Sequence, residues 1–149
     1  MLTTATESAP PADSSASLNF GLLIVRIACA LPVLYHGSSI LWGAFGGPGP
    51  QGFATYMHMP VVVGYLVGLA QFAGGVAILT GALLRTGGVC VIVVMLGAIF
   101  IVHRPHGFDI NNGGYEFALT VLLLAFALFF AGAGSYSLRN IFPGPLRKL

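Results

Sequence analysis

Residues 60–84 read PVVVGYLVGLAQFAGGVAILTGALL and contain no charged side chain. The stretch is longer than the ~20 apolar residues that a helix needs to cross ~30 Å of hydrocarbon. Alternation of apolar and polar side chains, typical of transmembrane barrels, is absent from stretches such as VIVVMLGAIFIV at residues 91–102. Backbone amides in hydrocarbon must bond to one another, and a helix achieves this within a single segment. The stretch therefore predicts a transmembrane helix.

The composition of the whole chain also indicates a bilayer environment. Of its 149 residues, 56% are hydrophobic and only 7% are charged, whereas a soluble domain carries about a quarter of its residues as charged side chains. The class that we predict is all-α, a bundle of four transmembrane helices. The expected spans are residues 20–42, 60–84, 87–103 and 114–134.

Two tails are expected on either side of a membrane domain at residues 19–138. Residues 1–18 are rich in Ser, Thr, Ala and Pro, a composition that buries too little apolar area to fold, so we predict a disordered N-terminal tail. Residues 139–149 form a basic C-terminal tail. Within the membrane domain, the sequence RTGG at residues 85–88 predicts a very short turn between the second and third spans.

The glycine- and proline-rich segment GAFGGPGPQG at residues 43–52 cannot continue the first helix. Phe53, Tyr56 and Met57 follow it at helical spacing. This spacing predicts a short helix that lies flat in the membrane interface. An apolar loop packed on the bundle is the alternative.

Four crossings would place both termini on the same side of the membrane, and the distribution of Lys and Arg indicates which side. The opposite side carries only Arg104. Because positive residues collect on the cytoplasmic side, we predict cytoplasmic termini and an outward-facing HRPHGFDINNGG segment. The basic residues on the side of the termini are Arg85, Arg139, Arg147 and Lys148.

Two polar residues stand within the apolar spans. Arg26 lies six residues inside the first span, where its long side chain could extend to the cytoplasmic headgroups. The alternative is an inward-facing guanidinium in contact with Gln71, which helical rise puts at a similar depth in the second span. Both residues are candidates for ligand binding, because polar groups in membrane spans mark functional sites by default.

Small residues recur at four-residue spacing on the second span, at Gly64 and Gly68 and again at Ala77 and Gly81. Such residues allow two helix backbones to approach closely in a membrane. Close packing inside the bundle is the preferred interpretation, and a dimer interface is the alternative.

Most of the other ionisable groups gather in the outer half of the predicted bundle. His36 lies near the outer end of the first span, His103 closes the third span, and Glu116 opens the fourth. This concentration predicts a polar ligand site. The alternative is that the histidines meet lipid headgroups while the dipole of the fourth helix stabilises Glu116. Other polar residues in the same half are His106, Asp109 and His58.

The sequence gives weak support to metal and haem chemistry. His103 and His106 are separated by a segment that contains Pro105, and their spacing matches no standard zinc pattern, so no metal site is predicted. His36 and His103 could hold a haem between two helices, but a pair of histidines alone is weak evidence for a haem site. No covalently bound cofactor is expected. Isolated charges and the absence of a basic stripe also exclude nucleic acid as a partner.

The chain resembles the DoxX family of small four-helix membrane proteins of bacteria and archaea, over roughly residues 22–138. An acid often occupies the position of Gln71 in that family, and a glycine often precedes the proline at position 60. The motifs that carry the resemblance are Arg26, His36-Gly37, Pro60, Gln71-Phe72-Ala73-Gly74-Gly75, Gly81, His103, Gly107-Phe108, Gly113-Gly114-Tyr115-Glu116 and Gly134-Ser135-Tyr136-Ser137-Leu138.

The resemblance implies a subunit of a respiratory or other redox complex in the bacterial or archaeal inner membrane, with lipids and other subunits as partners. The ligand that it implies is a quinone, which needs an apolar slot and hydrogen-bond donors at its carbonyl groups. His36, His103, Glu116, Arg26, Gln71 and His106 are the residues that we expect to bind it. At most, the chain would be one subunit of a quinone-linked oxidoreductase. The alternative is an accessory subunit that stabilises a larger complex without chemistry of its own.

Overall fold

The computed structural model describes residues 12–141, and the side chains of residues 15–139. This part of the chain is helical and contains no β-strand. A π-helical segment, Ala98–His103, extends the fourth helix. The α-helices are α1 (Ala12–Trp42), α2 (Gly49–Met57), α3 (Val61–Thr80), α4 (Leu84–Gly97) and α5 (Glu116–Ala131).

Three helical segments are long and apolar enough to cross a membrane: Ser15–Trp42, Val61–Thr80 and Leu84–His106. The fourth, α5, is apolar but has 16 residues, which corresponds to about 24 Å. The all-α class is therefore confirmed for residues 12–141. The expectation of four full-length spans holds for three helices, and the fourth is shorter than residues 114–134 suggested.

The first helix begins earlier than the sequence indicated. Since α1 starts at Ala12, residues 12–18 are helical, although their composition suggested a tail. Asn19 helps to anchor this end of the helix, because its Oδ1 accepts a hydrogen bond of 2.8 Å from the Ser135 N–H. Residues 139–141 of the predicted C-terminal tail belong to the 3₁₀ turn Leu138–Ile141, and the other predicted tail residues, 1–11 and 142–149, lie outside the described part of the chain.

The turn between the second and third spans is also displaced from the predicted position. Gly81 adopts a left-handed conformation with φ of 68°, and its N–H bonds back to Ala77 and Ile78. This is a common way for a helix to end, since glycine adopts positive φ without strain. The helix α4 then starts at Leu84. The prediction of a turn at residues 85–88 was wrong, because these residues form the beginning of α4. The two glycines, Gly87 and Gly88, are buried in this helix.

Glycines set the register between the helices. A Cβ at Gly37 of α1 would lie 2.6 Å from the backbone N of Phe72 on α3, and a Cβ at Gly87 of α4 would lie 2.8 Å from the Gly74 carbonyl oxygen. Gly64 and Gly68 are buried inside the bundle, the first against the Pro50 backbone. The prediction that these small residues serve internal packing is confirmed.

The core is formed by small and medium apolar side chains, whereas the outer surface is strongly apolar. Large hydrophobic residues are exposed on every long helix, as at Leu31 (57%), Leu66 (60%), Val93 (62%) and Phe130 (77%). Apolar patches of this extent indicate contact with lipid or other apolar partners. The buried core includes Cys29, Ala30, Val33, Ile78, Val91, Val121, Ala125 and Leu128.

The contact of Gly37 with α3 can be tested by comparing two glycines of α1. We expect Gly37→Ala to destabilise the protein by about 1–3 kcal/mol, since the added methyl group meets backbone that cannot move aside. Gly21→Ala is the matched control, because no atom lies within 4 Å of its Cβ position. Thermal unfolding in detergent, followed by circular dichroism, measures both. Equal melting temperatures for the two variants would contradict the assigned register.

Candidate functional site

A cavity of about 470 Å³ opens at one end of the bundle. We call this the α2 end, because it holds α2 and the loop at residues 104–115. The opposite end, called the terminal end, holds the start of α1 and the segment after α5. The walls of the cavity are mostly apolar, as is usual for sites that bind small molecules. They include Ile40, Phe53, Met57, Val63, Val67, Val94, Met95, Ala98, Ile101, Val102, Phe117 and Ala118.

Three of the residues predicted to bind a ligand meet at this cavity. His36 comes from α1, Gln71 from α3 and His103 from the end of the π-helical segment. Each stands on a different helix, so the shared location is a property of the tertiary fold. The sequence reasoning therefore identified polar residues that the structure brings together.

Gln71 is the most deeply buried polar group of the cavity wall. Its side chain is 6% exposed, and its Oε1 has no hydrogen-bond partner. An unpaired polar atom of this kind costs about 1–3 kcal/mol, and nearly all buried polar groups in proteins find a partner. Gln71 therefore places an amide whose oxygen has no partner in an otherwise apolar cavity wall.

The π-helical segment determines where His103 points. In an α-helix, residues three and four apart share a face, but the π-helix joins residues five apart. Ala98 and His103 are five residues apart, and both line the cavity. Short π-helical segments occur frequently at functional sites.

A hydrogen bond fixes the imidazole of His103. Its Nδ1 lies 2.7 Å from the carbonyl oxygen of Gly113. Because a carbonyl oxygen only accepts, Nδ1 carries the proton and donates. In a neutral ring, this bond requires the tautomer in which the other nitrogen, Nε2, is an acceptor.

His36 is accompanied by a residue that the sequence reasoning missed. Ser39 lies three residues after His36 and Ile40 four, and all three line the cavity. The i, i+3, i+4 spacing on one helix was the signal that could have identified Ser39. The aromatic ring of Phe117 lies near the His36 ring, with centroids 6.3 Å apart.

Glu116 does not line this cavity and instead holds the loop at residues 104–115. Its Oε2 accepts a hydrogen bond of 3.2 Å from the Ile110 N–H, and its own N–H donates to the Phe108 carbonyl at 3.0 Å. The carboxylate also stands in the first turn of α5, where the helix dipole favours a negative charge. These contacts support the structural alternative for Glu116 that the sequence left open.

His106 and Arg26 also lie away from the cavity wall. His106 is exposed on the 3₁₀ turn Arg104–His106. Arg26 is buried at the terminal end, with 1% of its surface exposed. Of the six predicted ligand-binding residues, His36, Gln71 and His103 share the cavity.

The guanidinium of Arg26 binds four backbone carbonyl groups. Its Nε donates to Ile78 at 2.9 Å and one terminal nitrogen donates to Ala133 at 3.1 Å, with further bonds to Leu79 and Tyr136. The carbonyls of Ile78 and Leu79 belong to the last turn of α3, where the usual partners four residues ahead are missing, although the Ile78 carbonyl also accepts from the Gly81 N–H. Arg26 therefore caps α3 and fastens the segment after α5 to α1.

The predicted contact between Arg26 and Gln71 was wrong, and the extension of Arg26 to the headgroups is not observed either. Helical rise, counted from the predicted ends of the two spans, places both side chains at a similar depth in the membrane. The register is instead fixed by the contact of Gly37 with Phe72, which brings His36 level with Gln71. Arg26, eleven residues before Gly37, consequently meets the end of α3.

Comparison with known proteins identifies relatives of this chain. The DoxX family model matches residues 21–104, more than half of the chain. The inner membrane protein YqjF of Escherichia coli (strain K12) is 31% identical over 122 residues, which cover 81% of this chain and 91% of the relative. No solved structure matches significantly. The family match ends at Arg104, so Glu116 and the motifs after it lie outside the matched region.

The capping role of Arg26 predicts a specific loss of stability. Arg26→Lys keeps the positive charge but removes the planar fork of donors, so some of the four carbonyls lose their partner at about 1–3 kcal/mol each. We expect a lower melting temperature in detergent. Arg104→Lys is the control, since Arg104 is exposed. If Arg26→Lys unfolded at the wild-type temperature, the planar guanidinium would not be required for stability, and its assigned role in capping α3 would be contradicted.

Proposed function

This chain belongs to the DoxX family, and we propose that it is a membrane subunit of a redox complex that binds a quinone or a similar lipid-soluble ligand in its cavity. The observation that carries this proposal is the unpaired Oε1 of Gln71 in the wall of an apolar cavity. A lipid-soluble ring with oxygen substituents combines the apolar body and the polar edge that such a site requires.

The remaining polar groups of the cavity suit the chemistry of such a ligand. The imidazole nitrogens of His36 and His103 provide hydrogen-bond donors or acceptors for the oxygen substituents of such a ring. The chain has only two cysteines, fewer than an iron–sulfur cluster requires. Electrons would consequently come from a partner subunit.

We further propose that α1, α3, α4 with its π-helical extension, and the shorter α5 all cross the inner membrane, with both termini in the cytoplasm. The bias of Lys and Arg toward the terminal end supports this orientation. The name of the Escherichia coli relative, an inner membrane protein, agrees with it. In this arrangement, α5 is short for a span, and the loop at residues 104–115 would occupy the remaining thickness of the membrane on the outer side. The cavity lies in the outer half of the membrane.

The orientation predicts which engineered cysteines react with a membrane-impermeant maleimide. In a variant in which alanine replaces Cys29 and Cys90, we expect Asn111→Cys to be labelled in intact cells from which the outer membrane has been removed. We expect Arg139→Cys to be labelled only after the cells are lysed. The opposite pattern would reverse the orientation, and labelling of both sites in intact cells would show that α5 does not cross the membrane.

Filling the cavity should remove the ligand. Ala98 lines the cavity, and Ala98→Phe adds a ring where we expect the ligand to bind. Ala127→Phe is the matched control, because Ala127 is exposed on α5. The proteins are purified from native membranes in mild detergent, and the bound quinone is extracted and quantified by chromatography. We expect quinone in the wild type and in Ala127→Phe, and at least a tenfold reduction in Ala98→Phe.

The same experiment separates this proposal from that of an accessory subunit. A wild-type protein that co-purifies with partner proteins but carries no quinone would favour an accessory role. Equal amounts of quinone in the wild type and in Ala98→Phe would indicate that the quinone binds elsewhere, for example on the apolar outer surface.

A further inference from the structure

The cavity opens sideways along α4 as well as toward the end of the bundle. Val93 and Ile101 line the cavity, and yet their side chains are 62% and 59% exposed. A residue that borders a cavity and is mostly exposed stands at the rim of an opening. Gly97 lies between these two residues in sequence and also lines the cavity. Because residues four apart share a helix face, the three form one stripe, which we call the α4 rim.

Gly97 leaves the centre of the α4 rim without a side chain. Its φ of −58° and ψ of −46° are ordinary helical values, so the backbone does not require glycine at this position. No neighbouring side chain and no other helix of the described residues comes within 4 Å of the place that its Cβ would occupy, so close packing does not require glycine either. The missing side chain keeps a space open between Val93 and Ile101.

The opening lies where α3 and α4 separate. Toward the terminal end the two helices are in close contact, since a Cβ at Gly87 would lie 2.8 Å from the carbonyl oxygen of Gly74. Ten residues farther along α4, Gly97 has no such neighbour. Val63 and Val67 of α3 line the same cavity. The two helices therefore border an apolar slot, here called the α4 slot, that follows the α4 rim for about 12 Å.

The other exposed residues of the cavity wall stand at different sides. Between α1 and α5, the rings of His36 and Phe117 approach each other, with centroids 6.3 Å apart, which narrows that gap. Pro48 and Tyr56 lie at the start of α2 and within it, at the end of the bundle that meets the headgroups in the proposed orientation. In that orientation, the α4 slot is the wide opening that faces the hydrocarbon.

We propose that the ligand carries a long apolar chain on its polar ring, and that this chain leaves the cavity through the α4 slot and lies among the lipid tails. This inference rests on the proposed function, since it concerns the ligand of the same cavity. A volume of about 470 Å³ lies toward the lower end of the ~300–1,000 Å³ usual for small-molecule sites, so a ring fits and a long chain needs an exit.

The position of the slot along the span suits such a chain. Val93 lies near the middle of the apolar segment Leu84–His106, and Ile101 lies nearer its outer end. A chain that follows the α4 rim from the cavity therefore runs toward the centre of the bilayer and stays in hydrocarbon. The ligand would also enter sideways from the membrane, without passing through water.

The test compares two probes, a dimethoxy-methyl-benzoquinone without a chain and the same ring with a decyl chain. Their affinities for purified protein are measured by equilibrium dialysis in detergent. Gly97→Phe places a ring in the slot, and the free space at this position accommodates it. We expect the affinity for the decyl probe to fall about tenfold, because ring and chain compete for the same space. The affinity for the probe without a chain should stay at the wild-type value.

A second variant and two controls assign the effect to the slot. Val93→Phe should reproduce the selective loss of the decyl probe. Its control is Val89→Phe, one turn earlier on α4, because Val89 is exposed but does not line the cavity. Gly21→Phe is the control for Gly97→Phe, since the Cβ of Gly21 also meets no atom within 4 Å and Gly21 does not line the cavity. Both controls should keep both affinities.

A measurement on the wild type locates the chain directly. A benzoquinone with a photoreactive diazirine at the end of its alkyl chain is bound and irradiated, and the labelled residues are identified by mass spectrometry. We expect the label on the α4 rim and on the valines of α3 that line the cavity. Label confined to α1 and α5 around His36 and Phe117 would show that the chain leaves by the other gap, and would overturn the inference even where a variant fails to fold.

The remaining outcomes separate this inference from the proposed function. If the wild type binds both probes and neither Gly97→Phe nor Val93→Phe weakens the decyl probe, the slot is overturned while a quinone site remains. Loss of both probes from a folded Gly97→Phe would place this position at the ring and would also overturn the slot. Binding of neither probe to the wild type would overturn both proposals. A phospholipid lost from Gly97→Phe, with the decyl affinity unchanged, would assign the slot to a structural lipid instead.

Discussion

In hydrocarbon, no water completes the hydrogen bonds of a polar group, so the protein has to supply every partner. Arg26 illustrates how strictly this chain observes the constraint. Its guanidinium is buried, and its four hydrogen bonds all go to backbone carbonyls, two of them in the last turn of α3. The charge and the helix end, each of which would be costly alone, stabilise one another. A residue that sequence alone presents as a candidate for function is thereby explained by the fold.

Among the buried side-chain polar atoms of residues 15–139, one does not meet this constraint. Glu116 binds the loop backbone and His103 binds Gly113, whereas Oε1 of Gln71 has no partner although the side chain is 6% exposed. Burying an amide oxygen without a hydrogen bond costs free energy that an apolar side chain would not incur. Under the proposed function, a ligand in the adjacent cavity would account for the amide at this position.

The helices and the polar residues could be predicted from the sequence, because both depend on local composition. The apolar stretch at residues 60–84 identified α3, and scarcity of charge singled out His36, Gln71 and His103. Register and backbone detail could not be predicted. Gly81 rather than the glycines of RTGG ends α3, and the π-helical turn that orients His103 has no sequence signature. The depth predicted for Arg26 from the span boundaries was wrong, because the register between α1 and α3 is set by contacts of glycines with the neighbouring helix.

The register also explains why the cavity residues lie together. Gly37 rests against the backbone of Phe72, and the residues that precede them in sequence are His36 and Gln71. Because α1 and α3 cannot slide while this contact holds, the imidazole and the amide stay at one level of the bundle. The packing at Gly37 consequently also determines the relative positions of the polar groups in the cavity. A side chain larger than glycine at position 37 would alter the site even though position 37 does not line the cavity.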